Sequence, residues 1–161
     1  MVDLPKRKTP QLPGWDYSSP GAYFVTVCTQ GRKNLFAPVG ADSISARMVE
    51  RTFLETIGRY KGVSSPKYVV MPNHFHAMIT IERADMESAP TIPKIMQDFK
   101  RYSTLEYIKL VKRGILPPFE GRIWQRSYHD HILRSEADYL RVWAYIDTNP
   151  AKWREDCFYC E

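Results

Sequence analysis

Only three cysteines occur in the chain, Cys28, Cys157 and Cys160. An odd number excludes a fully paired disulfide framework. Cys157-Phe-Tyr-Cys160 has C-x-x-C spacing, but the sequence holds no second pair to complete a zinc site. Long apolar runs are missing as well: none approaches the length of a membrane span. The first eight residues, Met1-Val-Asp-Leu-Pro-Lys-Arg-Lys8, lack the apolar stretch of a secretory signal, so a soluble cytoplasmic protein is expected. Internal repeats and low-complexity tracts are absent. What remains is ordinary globular composition, 43% apolar and 25% charged over 161 residues, enough for one domain with its own core and too short for two. The net charge of +5 favours an acidic partner, of which nucleic acid is the commonest for a small basic protein.

Residues 1–20 combine Pro5, Pro10, Pro13 and Pro20 with Lys6, Arg7 and Lys8, a composition suited to an extended basic arm that either follows phosphates or stays solvated. Residues 21–161 are expected to form the single folded domain. Within it, Ala22–Thr29 is rich in β-branched and aromatic residues and reads as a strand. Ala46, Val49, Phe53, Ile57 and Tyr60 recur with the period of one helix face, with Ser43 or Ser45 as cap. Tyr68–Ile81 reads as a hairpin turning at Pro72-Asn73. Ile95, Met96, Phe99, Ser103, Tyr107 and Leu110 trace a second amphipathic helix, ended by Gly114 and Pro117-Pro118. A strand from Ile123 to Leu133 and a helix from Ser135 to Pro150 complete the order βαββαβ plus a terminal helix. The expected fold class is α+β, a ferredoxin-like split βαβ arrangement with an antiparallel sheet.

The hairpin carries the first chemical signal. Strand side chains alternate between faces, so His74 and His76 share one face while Phe75, Ala77, Ile79 and Ile81 take the other. One side can be buried while the other offers two imidazoles to a divalent metal. The last helix supplies candidates for the rest of such a site, since Tyr145 and Asn149 lie four residues apart on one face and Asn149 ends the helix before Pro150. His129-Asp-His131 is a second H-x-H and competes for the metal, but no helix bearing Tyr and Asn follows it at matching distance. Tyr102, Tyr107, Tyr128 and Tyr139 are alternative tyrosines, each more easily explained as core or stacking surface.

Met71-Pro-Asn-His-Phe-His76, Trp124-Gln-Arg-Ser-Tyr128 and Tyr145-Ile-Asp-Thr-Asn-Pro-Ala151 together resemble the REP-associated tyrosine transposases, single-tyrosine transposases of the HUH nuclease superfamily. The resemblance runs from about Gly14 to Tyr159. It implies that His74, His76 and Asn149 bind a divalent metal, Mg2+ or Mn2+, and that Tyr145 is the catalytic nucleophile. It also implies a metal-dependent single-strand DNA endonuclease and strand transferase, acting at hairpin or REP-type sequences through a 5′-phosphotyrosine intermediate. The implied terminal helix is thus catalytic, the location cytoplasmic and nucleoid-associated, and a monomer is favoured over a homodimer. Lys6, Arg7, Lys8, Lys100, Arg101 and Arg126 are the candidate phosphate-binding residues on single-stranded or hairpin DNA. Two other readings compete: a non-catalytic single-stranded nucleic-acid-binding module with an RRM-like sheet, whose RNP pattern the likely central strands lack, and a hydrolase of small phosphoesters, which gives Tyr145 no role.

Overall fold

A computed structural model describes residues 20–38, 43–82 and 90–160. The basic arm with Lys6, Arg7 and Lys8 lies outside them. The described elements are β1 (Gly21–Cys28), a short 3₁₀ segment (Gln30–Arg32), α1 (Ile44–Gly58), β2 (Val63–Met71), β3 (His74–Ile81), α2 (Ile92–Lys112), β4 (His129–Leu133) and α3 (Glu136–Thr148), followed by a second 3₁₀ segment, Pro150–Glu155. The four strands form one antiparallel sheet in the order β2-β3-β1-β4, which is the split βαβ arrangement expected from the sequence.

Local chemistry accounts for the boundaries. Ser43 caps α1 by accepting from the Ala46 amide, Thr91 caps α2 from Lys94, and Ser135 caps α3 from Asp138. Pro72-Asn73 makes the tight connection between β2 and β3. Pro66, a residue that cannot donate to a ladder, sits in edge strand β2 where the pairing with β3 shifts register between Ser64 and Lys67.

The two faces of the sheet are covered differently. Tyr23, Val25 and Val27 of β1 and Phe75, Ala77, Ile79 and Ile81 of β3 are buried with α1 and α2 in the main core, where Phe53 meets Phe75 at 4.7 Å and Phe75 meets Phe99 at 5.0 Å. Each buried Val, Ile or Phe among them contributes roughly 1.5–3 kcal/mol. Met78, on the histidine face of β3, packs with Val142 and Ile146 of α3, together with Phe24 of β1 and Val69 of β2. Hence α3 lies over the face that carries the imidazoles.

One expected element is shorter than the sequence suggests. The strand predicted from Ile123 starts only at His129. Ile123 and Trp124 are instead both buried in the main core, Trp124 between Phe36 and Phe99 with its indole N–H donating to Ser103 Oγ at 2.9 Å. Adjacent residues buried in one core do not fit the alternation of a strand. The next carbonyls, of Gln125, Arg126 and Ser127, accept from the Lys100 ammonium at 2.9, 2.9 and 3.4 Å, which holds this stretch in a turn packed on α2.

Candidate active site

His74 opens β3 and His76 follows on the same face; both are fully buried, at 0% and 1% exposure. Each ring is held by its Nδ1. Asn73 Nδ2 donates to the carbonyls of Arg32 and Phe158, at 3.3 and 2.6 Å, which turns its Oδ1 toward His74. His74 Nδ1 therefore donates to Asn73 Oδ1 at 2.8 Å, and Nε2 is left with its lone pair. His76 Nδ1 shares a 2.8 Å hydrogen bond with Thr26 Oγ1 on β1, which leaves its Nε2 pointing the other way. A partner that fixes one ring nitrogen and frees the other is the usual support of a metal-ligating histidine.

Burial pushes the His74 pKa down to about 4, against the opposing pull of the Asp156 carboxylate and of Asn149. His76 is held well below its ordinary value by burial and then by its neighbour His74. Both imidazoles are thus neutral at pH 7, the form that binds metal.

Helix α3 brings the rest. Its apolar side, Val142 and Ile146, is anchored on Met78, and one turn of that geometry places Tyr145 over His76 and Asn149 at the helix end. The Tyr145 ring meets His76 edge-on at 5.3 Å and Phe24 at 6.0 Å, while 40% of the residue remains exposed. Burial raises the pKa of its phenol, as does the Asp156 carboxylate, and Asn149 opposes them by hydrogen bonding. Asn149 itself is buried, near enough to act on both Tyr145 and His74.

The sequence did not single out Asp156. This residue follows the 3₁₀ segment after Pro150, on irregular backbone with neither helical nor strand periodicity to mark it. The chain there folds back across the histidines: Phe158 lies 4.6 Å from the His74 ring and Trp153 5.9 Å. Asn34 Nδ2 donates to the Cys160 carbonyl at 3.1 Å and Asn73 to that of Phe158, so the fold-back is tied down at two points. One donor atom each from His74, His76 and Asp156 lie within 4.8 Å of one another. Among the described residues, His74 Nε2, His76 Nε2, Asn149 Oδ1 and Asp156 Oδ2 are buried without a hydrogen-bond partner. Buried polar atoms are rarely left so. Three of them, two imidazole nitrogens and a carboxylate oxygen, lie within 4.8 Å of one another, with Asn149 acting on His74 from the end of α3, a donor set that fits a divalent cation.

The competitors are placed elsewhere. His129 and His131 share the face of His76, since they register with Thr26 and Phe24 on β1, but they sit exposed on edge strand β4, and His131 Nε2 pairs with Asp138 at 2.8 Å. Tyr107 is buried with its hydroxyl donating to the Pro117 carbonyl, Tyr102 lies under Arg59, Tyr128 under Lys100, and Tyr139 stacks on Trp143. Arg101 and Arg126 are exposed and line one open cleft with Arg122. Lys100 lines the same cleft, but its ammonium is engaged by three carbonyls, and its pKa is lowered to about 8 by burial and then by Arg122. Cys157 and Cys160 are free thiols.

No family model matches the sequence. An uncharacterised protein of Haemophilus influenzae is 24% identical over 169 residues, covering 96% of this chain and 94% of its own. A second protein of that organism, provisionally named a REP-associated tyrosine transposase, is 24% identical over 137 residues, 85% of this chain and 74% of its own. Among solved structures, a REP-associated tyrosine transposase bound to a REP hairpin matches with a TM-score of 0.63 at 20% identity, over 88% of this chain and 73% of that one. A provisionally assigned transposase of Deinococcus radiodurans matches with a TM-score of 0.55 at 17% identity, over 86% of this chain and 95% of that one. In fold, and in sequence over most of its length, the chain is similar to the REP-associated tyrosine transposases.

Proposed function

We propose that the protein is a transposase-like, metal-dependent single-strand DNA endonuclease and strand transferase that acts at hairpin or REP-type sequences through a 5′-phosphotyrosine intermediate. The observation that carries this reading is the Tyr145 ring, partly exposed and 5.3 Å from His76, beside a cluster of buried donor atoms that lack partners. His74, His76 and Asn149 would hold the ion, Mg2+ or Mn2+. When bound, such an ion polarises the scissile phosphate and neutralises charge that develops in the transition state.

The remaining work falls to the chain. A phenol whose pKa is raised stays protonated at neutral pH, so the Tyr145 oxygen must give up its proton as it attacks phosphorus. As the Tyr145 O–P bond forms, the bond to the 3′ oxygen breaks, and that oxygen takes up a proton and leaves as a hydroxyl. The phosphodiester energy is kept in the tyrosyl link, so attack by a new 3′-hydroxyl rejoins strands. The edge contact with His76 and the contact with Phe24 hold the ring in place for this. In this reading a single chain, which carries both Tyr145 and the histidines, suffices as the working unit. A binding-only module would offer an open sheet face to bases, whereas α3 covers that face here.

Tyr145→Phe keeps the ring and removes one oxygen. With labelled single-stranded hairpin substrate and Mn2+ or Mg2+, the wild-type protein should form a denaturant-resistant adduct on Tyr145 through a 5′ phosphate. Tyr145→Phe should bind the hairpin with unchanged affinity and form none. Peptide mapping of the adduct to a different tyrosine would refute the assignment, and cleavage by Tyr145→Phe would point to a water nucleophile.

A further inference from the structure

The Asp156 carboxylate is 1% exposed, as buried as the histidines it faces. Its Oδ1 accepts from the Phe158 amide at 2.8 Å, which fixes the orientation of the group. Its Oδ2 has no hydrogen-bond partner and lies 3.6 Å from His74 Nε2. Because His74 Nδ1 donates to Asn73 Oδ1, the neutral ring presents a lone pair to that carboxylate oxygen. Two acceptors facing one another in a dry site repel, and an unpaired buried carboxylate costs several kcal/mol. A cation between them would turn the same arrangement into ligation. An octahedral ion with bonds of 2.0–2.1 Å spans roughly 4 Å between opposite donors, close to the spread of these atoms.

We propose that Asp156 is a fourth protein ligand of the divalent ion, so that ion binding pins the segment 150–160 onto the histidine strand. This rests on the metal site of His74, His76 and Asn149 proposed above and adds to it a carboxylate from outside the hairpin and the tyrosine helix. Three of the four donors are neutral, so Asp156 supplies the one full negative charge. Loading of the ion and docking of the C-terminal segment then become a single linked equilibrium.

The test uses the full chain and Mn2+ alone as probe. Titration calorimetry should show Mn2+ binding to the wild type, weakened at least tenfold in Asp156→Asn and abolished in His74→Ala. Trypsin, which has sites at Lys152 and Arg154, should cut the wild-type segment more slowly when Mn2+ is added, with no such protection in Asp156→Asn. In EDTA, Asp156→Asn should melt at or above the wild-type temperature, since the substitution removes an uncompensated charge while keeping the Oδ1 acceptor. Equal Mn2+ affinity of wild type and Asp156→Asn, with binding lost in His74→Ala, would overturn the role of Asp156 and leave the histidine site standing. A lower melting temperature of Asp156→Asn in EDTA would overturn it too, by making the carboxylate a structural ion-pair partner of His74. Failure of the wild type to bind Mn2+ would overturn both readings.

Discussion

At His74 and His76, burial and hydrogen bonding act toward the same end. Thr26 and Asn73 fix the rings, and the surrounding Phe24, Trp153 and Phe158 exclude water, so a proton on either imidazole is costly. The His74 pKa of about 4 in the folded protein lies below the usual 6.5 of an unfolded chain. Between these values the unfolded state binds more protons, so stability of the metal-free protein should fall as pH drops from about 6.5 toward 4 and be unaffected by this group above 6.5. The slope is on the order of 1.4 kcal/mol per pH unit for each proton taken up on unfolding. Urea midpoints measured in EDTA at pH 7.5, 5.5 and 4.5 should therefore decline more steeply for the wild type than for His74→Gln, which cannot titrate. Parallel declines would mean that His74 titrates alike in the folded and unfolded states, and a shallower decline of the wild type would mean that the fold holds His74 protonated.

Among the elements, the turn after Trp124 shows how a single side chain decides where a strand begins. Lys100 projects from α2 and takes up three consecutive carbonyls, so pairing with β1 as a continuous strand starts only at His129. Trp124 contributes one isolated bridge to Thr29 and otherwise belongs to the core. Lys100→Met keeps the aliphatic stem and removes the donor from those carbonyls; water can replace it at the two exposed ones, so the loss should be that of about one hydrogen bond, roughly 0.5–1.5 kcal/mol. Chemical denaturation should register that loss, while the salt dependence of DNA binding should stay at the wild-type value. A Lys100→Met protein of unchanged stability and shallower salt dependence would restore the phosphate-binding role expected from sequence.

For the molecule as a whole, the positive charge left for a polyanion includes Arg101 and Arg126 on the exposed surface beside α2. On single-stranded DNA each phosphate contact adds about 0.7 to the slope of log affinity against log salt. Arg101→Gln with Arg126→Gln should make that slope shallower by up to about 1.4 without lowering the melting temperature; an unchanged slope would move the DNA path elsewhere. The alternation of the hairpin, the helical spacing of Tyr145 and Asn149 and the order of elements were legible in the sequence because each is set by contacts between near neighbours, where a period of two or of 3.6 residues fixes the face. Such periods could not reveal that Lys100 would be consumed by a turn, since its partners lie 25 residues on and beyond. Nor could they reveal Asp156, which sits on backbone without a period and reaches His74 only because Asn73 and Asn34 tie the folded-back segment down. The sequence alone determined which side chains share a face; tertiary packing decided which faces meet, because burial of Met78 against Val142 and Ile146 sets where α3 rests, and with it the distance from tyrosine to histidine.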